Sequence, residues 1–161
     1  NQLITSDADH GCVILMEVAT GEIRAVANFS KVSTGEYEEQ FNYAIAASQD
    51  PGSTFKLASY LSLLEDNKVD TNSMVATGDG TYRIPGHTIR DSHGGIGTVT
   101  VKRAFEESSN VAVAKMINAA YQNDQGKFSE HLYKWGLNKK LMLQIPGEGQ
   151  PVIKNPQNNH D

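Results

Sequence analysis

The stretch Asp50-Pro51-Gly52-Ser53 and the twelve or so residues after it constrain the fold more than any other part of the chain. Pro51 and Gly52 stop a helix that arrives from upstream, one by lacking an N–H and the other by its conformational freedom. Immediately beyond them Leu57, Leu61 and Leu64 recur at helical spacing, with Tyr60 alongside. The pattern predicts a helix that starts at or near Ser53 and runs to Glu65. Its apolar stripe is expected to face inward, as a buried helix in the middle of the domain.

Short extended pieces flank this helix. Residues 12–18 are apolar and rich in β-branched side chains, Thr20-Gly21 supplies a turn, and residues 23–27 return as a second short strand. Residues 30–41 are polar and contain Gly35, which predicts an exposed connection. Residues 77–100 hold six glycines, with extended pieces at 81–84 and 98–101. A second helix is expected from about Val101 to Glu107. Ser108-Ser109 interrupts it, and helix resumes at Asn110 through Val111, Ala114, Ile117 and Tyr121. A shorter helix follows over residues 128–135. The tail after Ile145, rich in Pro, Gly and Asn, carries no further strand or helix pattern.

With 161 residues, 39% hydrophobic and 20% charged, the chain suits one soluble domain with a real core. The net charge of −5 and the lack of any Lys/Arg cluster argue against nucleic acid as a partner. Cys12 is the only cysteine, so no internal disulfide forms, and its apolar run Cys12-Val13-Ile14-Leu15-Met16 predicts a buried strand thiol. That run, the longest apolar one, is far below the ~20 residues of a membrane helix. No signal peptide opens the chain, so any membrane anchor is expected outside it. The five histidines, His10, His87, His93, His131 and His160, show no metal-ligand pairing and are expected on loops or the surface, with no metal and no cofactor.

Two short motifs carry chemistry. In Ser53-x-x-Lys56 the side chains lie one helical turn apart on one face. A serine in the first turn sits where helix N–H groups favour developing negative charge. A lysine among apolar neighbours loses its proton more readily, and a neutral amine can activate the serine. An N-capping serine beside an ordinary surface lysine produces the same string. Ser108-Ser109-Asn110, at the break between two helices, can point a hydroxyl and an amide into one cleft, or simply cap the helix that follows through Ser109.

The ordered pair, S-x-x-K at a helix start and then S-x-N at a helix break, is that of penicillin-recognising serine enzymes. Pro51-Gly52-Ser53-Thr54-Phe55-Lys56 resembles the nucleophile segment of class B penicillin-binding proteins. Asn42-Tyr43-Ala44 resembles the stretch just upstream of it. Glu17-Val18-Ala19-Thr20-Gly21-Glu22-Ile23-Arg24-Ala25 is similar to the hairpin that opens the transpeptidase domain, and Ser108-Ser109-Asn110-Val111-Ala112 to the second motif. The likeness runs from about Gly11 to Ile153.

The resemblance implies an α+β fold of the penicillin-binding protein transpeptidase and serine β-lactamase type, represented by its N-terminal part. That part comprises an opening β-hairpin (11–28), a mainly helical subdomain with both motifs (42–145) and a tail (146–161). It implies a D,D-transpeptidase that crosslinks peptidoglycan stem peptides through an acyl-serine and is acylated by β-lactams. Ser53 would be the nucleophile, Lys56 the base, Ser108 the proton relay and Asn110 the substrate-amide ligand, with the Ser53 N–H as half of an oxyanion hole. The implied setting is the periplasm, at the outer face of the cytoplasmic membrane. Ile145-Pro146-Gly147-Glu148-Gly149 and Ile153-Lys154-Asn155-Pro156 look closer to the cell-division branch, with division proteins as partners.

The third family motif, Lys-Thr/Ser-Gly, is absent, and the chain runs only about fifty residues past Asn110. The nearest string, Lys134-Trp135-Gly136, reads as a helix end. The expectation is therefore a domain cut short, inactive by itself, whose opening hairpin exposes an edge and self-associates. A serine β-lactamase and a β-lactam sensor domain share both motifs and remain alternatives.

Overall fold

The computed structural model describes residues 1–153. Two compact units are resolved, one comprising Asn1–Gln49 and Asn138–Val152, the other centred on Asp50–Leu137. Residues 154–161, with His160 and the Lys154-Asn155-Pro156 string, lie outside the described residues.

The first unit contains α1 (Gln2–Thr5), β1 (His10–Met16), β2 (Ile23–Ser33), β3 (Glu36–Glu38) and α2 (Tyr43–Ala46), the strands forming one antiparallel sheet in the order β1-β2-β3. The expected turn is present, closed by the Glu17 N–H donating to the Glu22 carbonyl at 2.9 Å. The second strand is present but longer than expected, and the polar run after it, largely exposed as expected, is strand rather than a plain connection. β2 runs on to Ser33, and β3 pairs back on it with Ser30 opposite Glu38 and Lys31 opposite Tyr37. Backbone pairing stabilises this polar run where side-chain alternation gives no signal, and the Tyr37 hydroxyl donates to the carbonyls of Leu3 (2.9 Å) and Ala8 (2.7 Å). Cys12 is exposed, not buried, because β1 is an edge strand whose two faces both meet solvent. Val13 and Leu15 on one face are 69% and 61% exposed, and Ile14 and Met16 on the other are exposed as well.

Asn28 is buried and ties the sheet to α2. Its amide donates to Asn42 Oδ1 at 2.9 Å and its oxygen accepts from the Ala44 N–H at 3.0 Å. The segment Asn138–Val152 joins the same unit as irregular chain. There the Glu148 carboxylate accepts from the Leu141 and Leu143 N–H groups, and the Gly149 N–H donates to the Ile45 carbonyl at 2.8 Å.

In the second unit a 3₁₀ turn (Gly52–Phe55) leads into α3 (Lys56–Glu65). Then come β4 (Met74–Ala76), β5 (Thr81–Ile84), β6 (His87–Arg90), β7 (Thr98–Thr100), α4 (Val101–Glu106), α5 (Asn110–Tyr121) and α6 (Gln125–Lys134). β4 pairs with β7 and β5 with β6, both antiparallel. The core joins Tyr60 and Leu63 of α3 to Val75, Val101, Ala104, Ala112, Met116 and Tyr121. Lys134-Trp135-Gly136 is the end of α6, with Gly136 at φ 76°.

Two expectations fail here for physical reasons. The stripe on α3 that packs inward is Lys56, Ser59, Tyr60 and Leu63, at i, i+3, i+4 and i+7. Leu57 and Leu61 are 55% and 42% exposed, because periodicity identifies an apolar face without saying which face is covered. His131, expected at the surface, is buried on α6 against the C-terminal end of α3. Its Nε2 meets Asp66 at 3.1 Å, while Nδ1 lies 3.2 Å from Glu65 in a direction that makes no hydrogen bond. Burial pushes the Asp66 carboxyl up, but hydrogen bonds from His131, Tyr121 and Lys127 outweigh it and hold the group below the usual carboxylate range.

The glycine-rich region is explained by a backbone-to-backbone contact. A Cβ on Gly95 would lie 1.9 Å from the Gly78 carbonyl oxygen and 2.4 Å from the Gly80 nitrogen. The buried Thr77 reinforces the contact, its hydroxyl donating to the Gly97 carbonyl and accepting from the Ile96 N–H, both at 3.0 Å. Among the described residues no helix is long and apolar enough to cross a membrane.

Candidate active site

Ser53 lies in the 3₁₀ turn, exposed, directly after Gly52 in a left-handed conformation (φ 59°). The turn is braced by the Thr54 hydroxyl donating to the Pro51 carbonyl at 2.5 Å. Lys56 is the first residue of α3 and is only 9% exposed. Its Nζ donates to the Ser108 hydroxyl at 2.9 Å and also to the Ser108 carbonyl. Desolvation lowers the amine below the usual lysine range, opposed by the charge of Asp91. The same two influences both raise Tyr60, one turn further along α3, to about 12.

The partner of Lys56 is built by two helix caps placed end to end. Ser108 has φ 52°, with its N–H bonded to the Phe105 carbonyl at 2.9 Å and the Ser109 N–H bonded to the Ala104 carbonyl at 3.0 Å. This is a Schellman ending of α4 with serine at the position usually held by glycine. Ser109 then N-caps α5, its hydroxyl accepting from the Ala112 N–H at 2.9 Å. The chain reverses sharply between the two caps, and both polar groups of Ser108 face Lys56.

Asn110 opens α5. Its amide nitrogen donates to the Arg90 carbonyl at 2.8 Å, an arrangement that fixes the orientation of the amide because two facing oxygens would repel. Ser53, Lys56, Ser108 and Asn110 line one cleft of about 270 Å³. The residues singled out from sequence are thus brought together, and the cleft adds Asp91, His93 and Glu107, which sequence reasoning missed as site residues. His93, expected on a loop, is exposed there. Among the described residues no cluster of His, Cys, Asp or Glu forms a metal site.

The fold is that of penicillin-binding transpeptidase domains. A crystal structure of a peptidoglycan glycosyltransferase from Burkholderia ambifaria superposes with a TM-score of 0.79, at 24% identity over 97% of this chain and 46% of that one. The TP domain of penicillin-binding protein 3 from Burkholderia pseudomallei gives 0.78, at 24% identity over 97% and 43%. The chain belongs to the penicillin-binding protein transpeptidase domain family, which matches residues 11–161. A relative from Escherichia coli K12, peptidoglycan D,D-transpeptidase FtsI, is 30% identical over 92% of the chain, which spans about a quarter (25%) of that relative's length.

Proposed function

We propose that this cleft is the acyl-serine centre of a peptidoglycan D,D-transpeptidase. The observation that carries the reading is the pair of hydrogen bonds from Lys56 Nζ to Ser108, which couples the two motifs. A neutral lysine amine has two N–H groups and one lone pair. The two contacts with Ser108 use the N–H groups and leave the lone pair for the Ser53 hydroxyl proton.

The reaction then runs as follows. Lys56 takes the proton as Ser53 Oγ bonds to the carbonyl carbon of a D-Ala-D-Ala peptide, and the Ser53 N–H stabilises the resulting oxyanion. The C–N bond breaks while the proton passes from Lys56 through the Ser108 hydroxyl to the leaving amine, releasing D-alanine. An amine on a second stem peptide attacks the acyl-serine, forms the crosslink and returns a proton to Ser53. With its nitrogen committed to Arg90, Asn110 presents Oδ1 as an acceptor for a substrate N–H. β-Lactams acylate the same serine by opening their ring amide. The setting is the outer face of the cytoplasmic membrane, in division-type wall synthesis with division proteins as partners.

The test uses the protein as its host makes it and a stem pentapeptide ending in D-Ala-D-Ala. Release of D-alanine is expected and is lost in Ser53→Ala. Release at an unchanged rate in the variant contradicts the proposal.

A further inference from the structure

Asp91 follows β6 and lines the cleft without belonging to either motif. Its Oδ1 accepts from the Ser109 hydroxyl at 3.1 Å and from the Val111 N–H at 3.0 Å, and its Oδ2 from the Ser109 hydroxyl at 2.9 Å. Its own N–H donates to the Gly80 carbonyl at 2.9 Å, tying it to the glycine-rich backbone contact. One carboxylate thus grips the residues on the helix side of Ser108, whose left-handed backbone is unfavourable for a residue with a Cβ. From the β6 side the start of α5 is held by this grip and by the Asn110 amide donating to the Arg90 carbonyl, and of the two only Asp91 holds Ser109 itself.

We propose that Asp91 is a positioning residue for acylation: through Ser109 and Val111 it fixes the Ser108–Ser109 reversal on which Lys56 is anchored. The proposal rests on the reading of Ser53 and Lys56 as the acylating pair. The titratable groups around Lys56 are Asp91 and His93 from the loop after β6, Glu107 at the end of α4, and Tyr60 on α3 itself. The charge of Asp91 raises the Lys56 pKa against the larger effect of burial. Removing that charge lets the amine deprotonate at lower pH, so the acid limb of the acylation profile moves down in pH.

The experiment measures penicillin acylation against pH in the protein as its host makes it, by intact mass. Asp91→Asn keeps the shape and removes the charge, and it is expected to slow acylation and to shift the acid limb to lower pH. Ser109→Ala keeps the charge and removes the gripped hydroxyl. It is expected to slow acylation about 10- to 100-fold with the limb unmoved. A full rate with an unmoved limb in Asp91→Asn, or a full rate in Ser109→Ala, overturns the proposal. Ser53→Ala is run alongside, because an adduct surviving there defeats the reading of the acylating pair and not the role of Asp91. Circular dichroism on each variant confirms that the comparison is between folded proteins.

Discussion

Ser108 holds a backbone position that normally belongs to glycine. A left-handed conformation costs a residue with a Cβ about 1–2 kcal/mol, and such positions gather at functional sites. Ser108→Gly and Ser108→Ala both delete the hydroxyl, but only glycine relieves the backbone. The glycine variant should therefore be more stable than the alanine variant by about 1 kcal/mol in denaturant melts, while both lose acylation to the same extent. Equal stability would show that the Ser108 backbone stores nothing. Lys56 makes the second residue-scale prediction. Burial lowers its pKa, so the active neutral amine gains population as pH rises through a value below the ordinary lysine value of 10.5. Acylation should rise along that limb, and Lys56→Ala should slow it about 10²–10⁴-fold. A parental rate in Lys56→Ala would remove Lys56 from the role of base.

At the scale of elements, the cleft depends on two loops that touch backbone to backbone. Gly95→Ala drives a methyl group into the Gly78 carbonyl, which cannot swing aside as a side chain would. The variant should lose about 1–3 kcal/mol in thermal melts and acylate more slowly, since Asp91 and Ile96 belong to the same loop assembly. An unchanged melting temperature would contradict the contact. This loop also shows where sequence legibility stops. Ser53, Lys56, Ser108 and Asn110 could be picked out because local helix grammar, a start after Pro-Gly and a break between two helices, marks them. Asp91 carries no such mark: its partners Ser109 and Val111 are far along the chain, and only the folded loop brings them to it. The hairpin turn and helices α4 and α5 were legible from turn residues and apolar spacing. The length of β2, the presence of β3 and the buried His131 were not, since backbone pairing and contacts with carboxylates distant in sequence decide them. Spacing marks an apolar stripe on α3 but not what covers it, so the outward placing of Leu57 and Leu61 is not legible in the sequence.

For the whole molecule, the feature that matters is β1, an apolar edge strand of the sheet formed by the described residues. An unpaired apolar edge is a template for pairing with another chain. The purified 161-residue polypeptide should therefore scatter light as more than a monomer, and Val13→Lys with Leu15→Lys should restore the monomer. A clean monomer before those substitutions would contradict the expectation. The most direct test of the central claim, that Ser53 is the residue acylated in this cleft, is the intact mass of the protein as its host makes it after exposure to penicillin. The account predicts a single adduct that disappears in Ser53→Ala, and an adduct that persists in that variant would contradict it.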